Sequence, residues 1–167
     1  MMDLALILDH ATVIRYPKSS SEDLACPRAK VELGKSEVLR EGTDAVIWAV
    51  GRECELALQL AEDLQKKDFS IKVVNARFLK PFDKEAFLAD AKAMPMITLE
   101  DHVKTGGLAS IAAELFVENK ISKPYLAKAY PEAEVITWGK VDKLRELYGM
   151  TSGKLIEEIT QFLDDSK

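Results

Sequence analysis

Residues 44–51 read Asp-Ala-Val-Ile-Trp-Ala-Val-Gly, apolar at every position between a turn-forming acid and a glycine. A strand with one wet face alternates apolar and polar residues. An unbroken run is what a strand covered on both faces requires. Residues 71–76 and 96–99 are further, largely apolar candidate strands, and residues 124–129 supply another. Between the first two runs, Cys54, Ala57, Leu58, Ala61 and Leu64 recur at helical spacing and form one apolar stripe. Strands covered on both faces and joined by amphipathic helices leave few architectures open.

The alternation continues along the chain. Asp83 is placed to cap a short helix over about 84–93. Gly106-Gly107 opens another helix, whose buried face is Leu108, Ile111, Ala112 and Leu115. Two helices close the chain, at about 139–148 and 153–164. Ser152 is expected to cap the second, and Leu155, Ile159 and Phe162 form its stripe. Right-handed crossovers turn this βαβαβαβ order into a parallel sheet with helices on both faces, with Trp48 and Val50 inside. Residues 31–39 lie outside the alternation and fit an antiparallel edge strand. The expected fold is therefore a three-layer α/β/α domain, its five-stranded sheet mostly parallel with one antiparallel edge strand. Before it come an apolar run (Leu4 to Leu8), a strand-like Val13-Ile14-Arg15-Tyr16 stopped by Pro17, and a polar segment over 19–30 with linker composition.

Composition narrows function by exclusion. A net charge of −5 offers no basic field for a phosphate backbone or an anionic membrane, so nucleic acid and membrane are not expected partners. No apolar run approaches the ~20 residues of a membrane span. Met1-Met2-Asp3 lacks the basic start of a signal peptide, so a reducing, cytoplasmic setting is expected. Cys26 and Cys54 are too isolated for a disulfide framework or a zinc site, and Cys54 reads as a small buried apolar residue. The first βα turn, Gly51-Arg52-Glu53, lacks the glycines that let a backbone approach a pyrophosphate.

Six strand-end or loop residues could carry chemistry. Glu100 and His102, flanking Asp101, suggest an acid–base cluster, but no nucleophile accompanies them, and solvated turn residues or a domain-contact histidine are the simpler reading. Gly106 and Gly107 could form an anion nest, or supply positive φ and close helix–sheet packing. Arg77, just beyond a buried strand, needs a carboxylate or carbonyls to hold its guanidinium. Arg15 ends the early strand-like segment, where a bidentate donor suits either a phosphate or an ion pair. No residue reads as catalytic, as a metal ligand or as cofactor-binding.

Four stretches, in order, carry a family resemblance. Residues 14–18 (Ile-Arg-Tyr-Pro-Lys), 34–42 (Gly-Lys-Ser-Glu-Val-Leu-Arg-Glu-Gly), 75–83 (Asn-Ala-Arg-Phe-Leu-Lys-Pro-Phe-Asp) and Glu100-Asp101-His102 with Gly106-Gly107 resemble 1-deoxy-D-xylulose-5-phosphate synthases of the transketolase family. The resemblance implies the last quarter of such an enzyme: residues 1–18 ending its pyrimidine-binding domain, 19–30 a linker, and 31–167 its transketolase C-terminal domain. It implies a thiamine-diphosphate- and Mg²⁺-dependent transferase in the full-length enzyme, a homodimer in which this domain supports fold and assembly, and the rest of the same polypeptide as its partner. It implies a contact of Arg15 with the phosphate of glyceraldehyde 3-phosphate, and leaves Arg77, Glu100, His102, Gly106 and Gly107 as structural or interface positions. Lys18-Ser19-Ser20 departs from the family's Arg-Gly, and Trp138 stands where many members carry histidine. A transketolase, a 2-oxoacid dehydrogenase beta subunit and a stand-alone anion- or partner-binding module are the alternatives.

Overall fold

The structure, a computed structural model, describes residues 1–16, 30–132 and 139–166. Its elements run α1 (Met2–Ile7), β1 (Glu37–Arg40), β2 (Ala45–Ala49), α2 (Glu53–Gln65), β3 (Ile71–Asn75), α3 (Lys84–Ala93), β4 (Met96–Val103), α4 (Leu108–Glu118), β5 (Tyr125–Tyr130), α5 (Val141–Leu147) and α6 (Ser152–Asp165). The strands form one sheet in the order β1-β3-β2-β4-β5. β2, β3, β4 and β5 are mutually parallel and β1 pairs antiparallel with β3, the arrangement expected from the apolar runs.

Every residue of β2 is buried, and its side chains divide by the period of two. Ala45, Ile47 and Ala49 face a core shared with α2 and α6. Val46 and Trp48 face a second core with α3 and α4. Trp48 packs edge-on to Phe87 at a centroid separation of 5.2 Å and tilted to Phe82 at 5.6 Å. Its buried indole N–H donates to Asp90 Oδ2 at 3.0 Å, and Lys72 Nζ lies 2.6 Å from Asp90 Oδ1. The ring therefore enters an apolar layer without leaving a donor unpaired.

α3 starts where its cap residue predicts: the Asp83 carboxylate accepts from the Ala86 N–H. It also accepts from Ser36 N and Oγ, both at 2.9 Å, so one side chain joins the helix to the approach to β1. Burial alone would raise the Asp83 pKa, but the Ser36 and Ala86 bonds and the Lys35 charge hold it below the usual value.

Several local expectations are corrected. Residues 13–16 form no strand, having no neighbour to pair with, and the apolar run before them is a short helix, α1, with no buried residue. The edge strand is Glu37–Arg40, later and shorter than the 31–39 segment. Thr151, not Ser152, is the N-cap of α6, and no side chain bonds there. The buried stripe of α6 ends in Leu163, with Phe162 half-buried, because Leu155, Ile159 and Leu163 keep a strict spacing of four. The α2 stripe is broadened by Leu56 and Leu60, while Leu58 is half-buried. Val50 lies just past the end of β2 and is half-buried. Cys54 is buried, as expected, while Cys26, Lys18 and Trp138 lie outside the described residues.

Candidate functional site

In an open parallel sheet, consecutive connections that leave a strand in opposite directions open a crevice at the strands' carboxyl ends. Here β3 lies on one side of central β2 and β4 on the other, so that point falls between β2 and β4. A cleft of about 740 Å³ occupies it. Its floor is the strand ends, including Gly51-Arg52, Arg77 to Pro81 and Glu100 to His102; its roof is the segment 1–16. Arg15, Arg77, Glu100, His102, Gly106 and Gly107 all line it.

Glu100 is 1% exposed. Its Oε2 accepts from the Leu108 N–H and its Oε1 from the Ala109 N–H, both at 2.8 Å. These are first-turn donors of α4, which no helical carbonyl can satisfy. A carboxylate there is stabilised by both bonds and the helix dipole, with each oxygen accepting one N–H. The two adjacent glycines do different things. Gly106 has φ +78° in open space, so its turn needs the left-handed region. Gly107 has an ordinary φ of −99°, but a Cβ there would stand 2.1 Å from Glu100 Oε2. The anion at this helix start is the chain's own. The neighbouring Tyr125 hydroxyl bonds Thr98 Oγ1 at 2.8 Å and donates to the Ala109 carbonyl at 3.3 Å. Burial pushes its pKa up to about 12; the Thr98 bond opposes the rise and the Glu100 charge adds to it.

Arg77 sits at φ +54°, its backbone N–H donating to Asn75 Oδ1 at 3.0 Å. The Nη2 atom lies 2.6 Å from Glu37 Oε1, and Nη1 donates to the Lys30 carbonyl at 3.2 Å. With side chains 4% and 1% exposed, this buried pair ties the end of β3 to the start of β1. Arg15 reaches down from the roof: Nη2 donates to the Asp101 carbonyl at 2.9 Å. His102 turns Nδ1 toward the Val103 carbonyl at 2.9 Å.

A further buried pair flanks the cleft. Arg145 of α5 bonds Glu53 Oε1 at the start of α2, while Glu53 Oε2 and Arg145 Nε have no hydrogen-bond partner among the described residues. Burial raises the Glu53 pKa; Arg145 and Arg52 oppose the rise, while Asp101 and Glu55 add to it. Tyr130 beside it is likewise raised, by burial first and then by Asp101 and Glu53, against Arg145 and Arg52. Sequence reasoning passed over this pair because its members are 92 residues apart. Arg52 is legible in the sequence as a cation at the end of a central strand.

Comparison with known proteins identifies the domain. The sequence profile described as "Transketolase, C-terminal domain" matches residues 34–155. The chain is 36% identical over 160 residues to 1-deoxy-D-xylulose-5-phosphate synthase of Rhodopirellula baltica, covering 94% of this chain and 25% of that protein. It is 34% identical over 163 residues to the synthase of Caldanaerobacter subterraneus, with 96% and 26% covered. It thus spans about a quarter of these relatives' length. A solved structure titled "Split gene transketolase, inactive beta4 tetramer" superposes with a TM-score of 0.78 at 27% identity, covering 90% of this chain and 49% of that one. A Pichia stipitis transketolase shares the fold at a TM-score of 0.60 and 17% identity, over 80% of this chain and 18% of its own. With more than half of its residues under the family profile and the same sheet in its solved neighbours, the chain belongs to the transketolase C-terminal domain family.

Proposed function

We propose that this chain is the C-terminal domain of a 1-deoxy-D-xylulose-5-phosphate synthase. That enzyme joins pyruvate to glyceraldehyde 3-phosphate with loss of CO₂, a step toward isoprenoid and thiamine precursors. Residues 1–18 end the preceding pyrimidine-binding domain, 19–30 link the two, and 31–167 form the C-terminal domain. The domain supports fold and a homodimer in the cytoplasm and is not itself catalytic. The synthase relatives, matched along more than nine-tenths of this chain, support the reading over a transketolase or a 2-oxoacid dehydrogenase.

The observation that carries it is the placement of Arg15. The residue belongs to the roof, yet its guanidinium docks on the Asp101 carbonyl at the carboxyl edge of the sheet. One bond to a carbonyl leaves most of its five N–H donors for a phosphate, so Arg15 is the substrate-binding residue of this segment. Thiamine diphosphate and Mg²⁺ do not fit the cleft itself. Of the two acids that line it, Glu100 is committed to two backbone N–H groups, and no group of three or more metal-ligating side chains stands together among the described residues. Both groups therefore belong on the cofactor domains of the full-length enzyme.

The test is kinetic. In enzyme containing the cofactor-binding domains, Arg15→Ala should raise the KM for glyceraldehyde 3-phosphate about tenfold or more, the cost of one charge-assisted bond, and leave the KM for pyruvate unchanged. Equal loss for both substrates would refute the assignment. The 167-residue chain alone should neither bind thiamine diphosphate in a calorimeter nor form product.

A further inference from the structure

α2, α3, α4 and α6 each bury part of their length, whereas no residue of α5 is buried. Within α5, Leu144 and Arg145 are half-buried and the rest is exposed. Seven residues do not hold a helix in water on their own. The bond from Arg145 to Glu53 Oε1 ties α5 to the body, as does its C-cap Tyr148, packed edge-on to Tyr130 at 5.6 Å. The helix ends sharply. The Met150 N–H donates to the Arg145 carbonyl at 2.7 Å and the Gly149 N–H to the Glu146 carbonyl at 3.3 Å, with Gly149 at φ +68°, a left-handed stop that glycine allows. Met150, one residue on, belongs to the core shared by α2 and α6. The boundary between a helix that buries nothing and the packed core falls at Gly149.

The tie itself is half satisfied. Glu53 is buried, yet its Oε2 and the Arg145 Nε have no hydrogen-bond partner among the described residues. A buried ion pair repays its desolvation only when its remaining atoms are bonded as well. Titratable groups face it from the neighbouring elements: Arg52 and Glu55 at the start of α2, Asp101 of β4 and Tyr130 of β5. We propose that α5 is a latch on the flank of the cleft, opening at Gly149 independently of the core and taking up a proton at Glu53 when it docks. An open α5 gives the carboxylate water, which favours its charged form. Docking removes that water and returns one bond from Arg145.

Burial outweighs the attraction of Arg145, so the docked Glu53 titrates above its ordinary 4.5. The latch is accordingly held fully below 4.5 and loosens as pH rises through the docked value. Arg52 and Asp101 also line the cleft, so an open latch sets an ionised Glu53 beside its wall.

Amide hydrogen exchange of the 167-residue chain reads the latch, as protection corrected for the intrinsic rate at each pH. α5 should be less protected than α6 throughout, and its protection should fall from pH 5 to 8. Tyr130, its pKa raised above 10.0 by burial, stays neutral over this range. A histidine side chain titrates in the same window, and Glu53→Gln separates the two causes. The amide keeps an acceptor for Arg145 but cannot ionise, so α5 should be protected equally at both ends of the range. Arg145→Met leaves Glu53 buried without its cation and should cut α5 protection at pH 8 about tenfold or more, with α6 still the better protected. The inference is overturned if α5 is as protected as α6, or if its protection in the parent is level or rises with pH. It is equally overturned if the fall persists in Glu53→Gln, or if Arg145→Met leaves α5 protection unchanged.

Discussion

Gly107→Ala tests how the cleft floor is held. The residue's φ of −99° suits alanine, so the backbone is unstrained and the cost is steric alone. The new methyl would meet Glu100 Oε2 at 2.1 Å and Cδ at 2.8 Å, so the carboxylate has to leave. Two charge-assisted bonds, to the Leu108 and Ala109 N–H groups, are then lost at a buried site. At about 1.5–3 kcal/mol each, less some relaxation, the loss is roughly 3–5 kcal/mol. For a chain of this size that lowers the thermal midpoint by roughly 6–20 °C. Gly106→Ala is the control. It meets nothing within 4 Å but must hold φ near +78°, which costs about 1–2 kcal/mol. A double-mutant cycle isolates the cause: in a Glu100→Ala background, Gly107→Ala should cost under about 1 kcal/mol, because the clash partner is gone. The reasoning fails if Gly106→Ala is the more damaging of the two, or if Glu100→Ala and Gly107→Ala prove additive in chemical denaturation.

Other expectations follow from the charged pairs. Arg77→Ala strands Glu37 in a buried site and should cost about 3–5 kcal/mol, whereas Arg15→Ala removes one exposed bond and should change the midpoint little; melts of both variants decide it. Burial raises the Glu53 pKa above its unfolded value of 4.5, so its contribution is fully present below that value and lost as pH rises through the folded pKa. The penalty for Arg145→Met should therefore shrink as pH falls from 8 to 5, measured by urea denaturation at each pH. Asp83 has the opposite sign: its pKa is lowered, so its stabilisation is present above its unfolded value of 3.8 and lost as pH falls through the folded pKa. Asp83→Ala should cost about 1–2 kcal/mol at pH 7 and progressively less in acid.

The layers of the fold were legible where one physical pattern dominated. Residues 44–50 could only be a strand covered on both faces, and the Asp83 cap followed from a short acceptor placed before a helical stripe. Patterns failed where partners decide. Residues 13–16 have β-branched side chains but no strand beside them, and α1 is helical without burying a side chain. The site was legible as positions, not as contacts. Glu100 and Gly107 were both singled out, but nothing in their spacing says that one fills the helix start the other opens. Glu53 and Arg145 meet only because the fold brings α5 against the start of α2, which sequence separation conceals.

The sheet's two borders bear on how copies of this domain can associate. β1 is only four residues long, and its register slips between Val38 and Arg40. An approaching strand would find little straight backbone to zip against. β5 is longer, but Lys128 stands within it and is bound to Glu158 of α6. Adding a strand there would bury that pair's charge. Short length, an irregular register and a central lysine are the devices that keep exposed edges from templating fibrous aggregation. Copies of the domain are thereby steered away from a continuous intermolecular sheet, and any stable dimer has to be built from helix faces and loops.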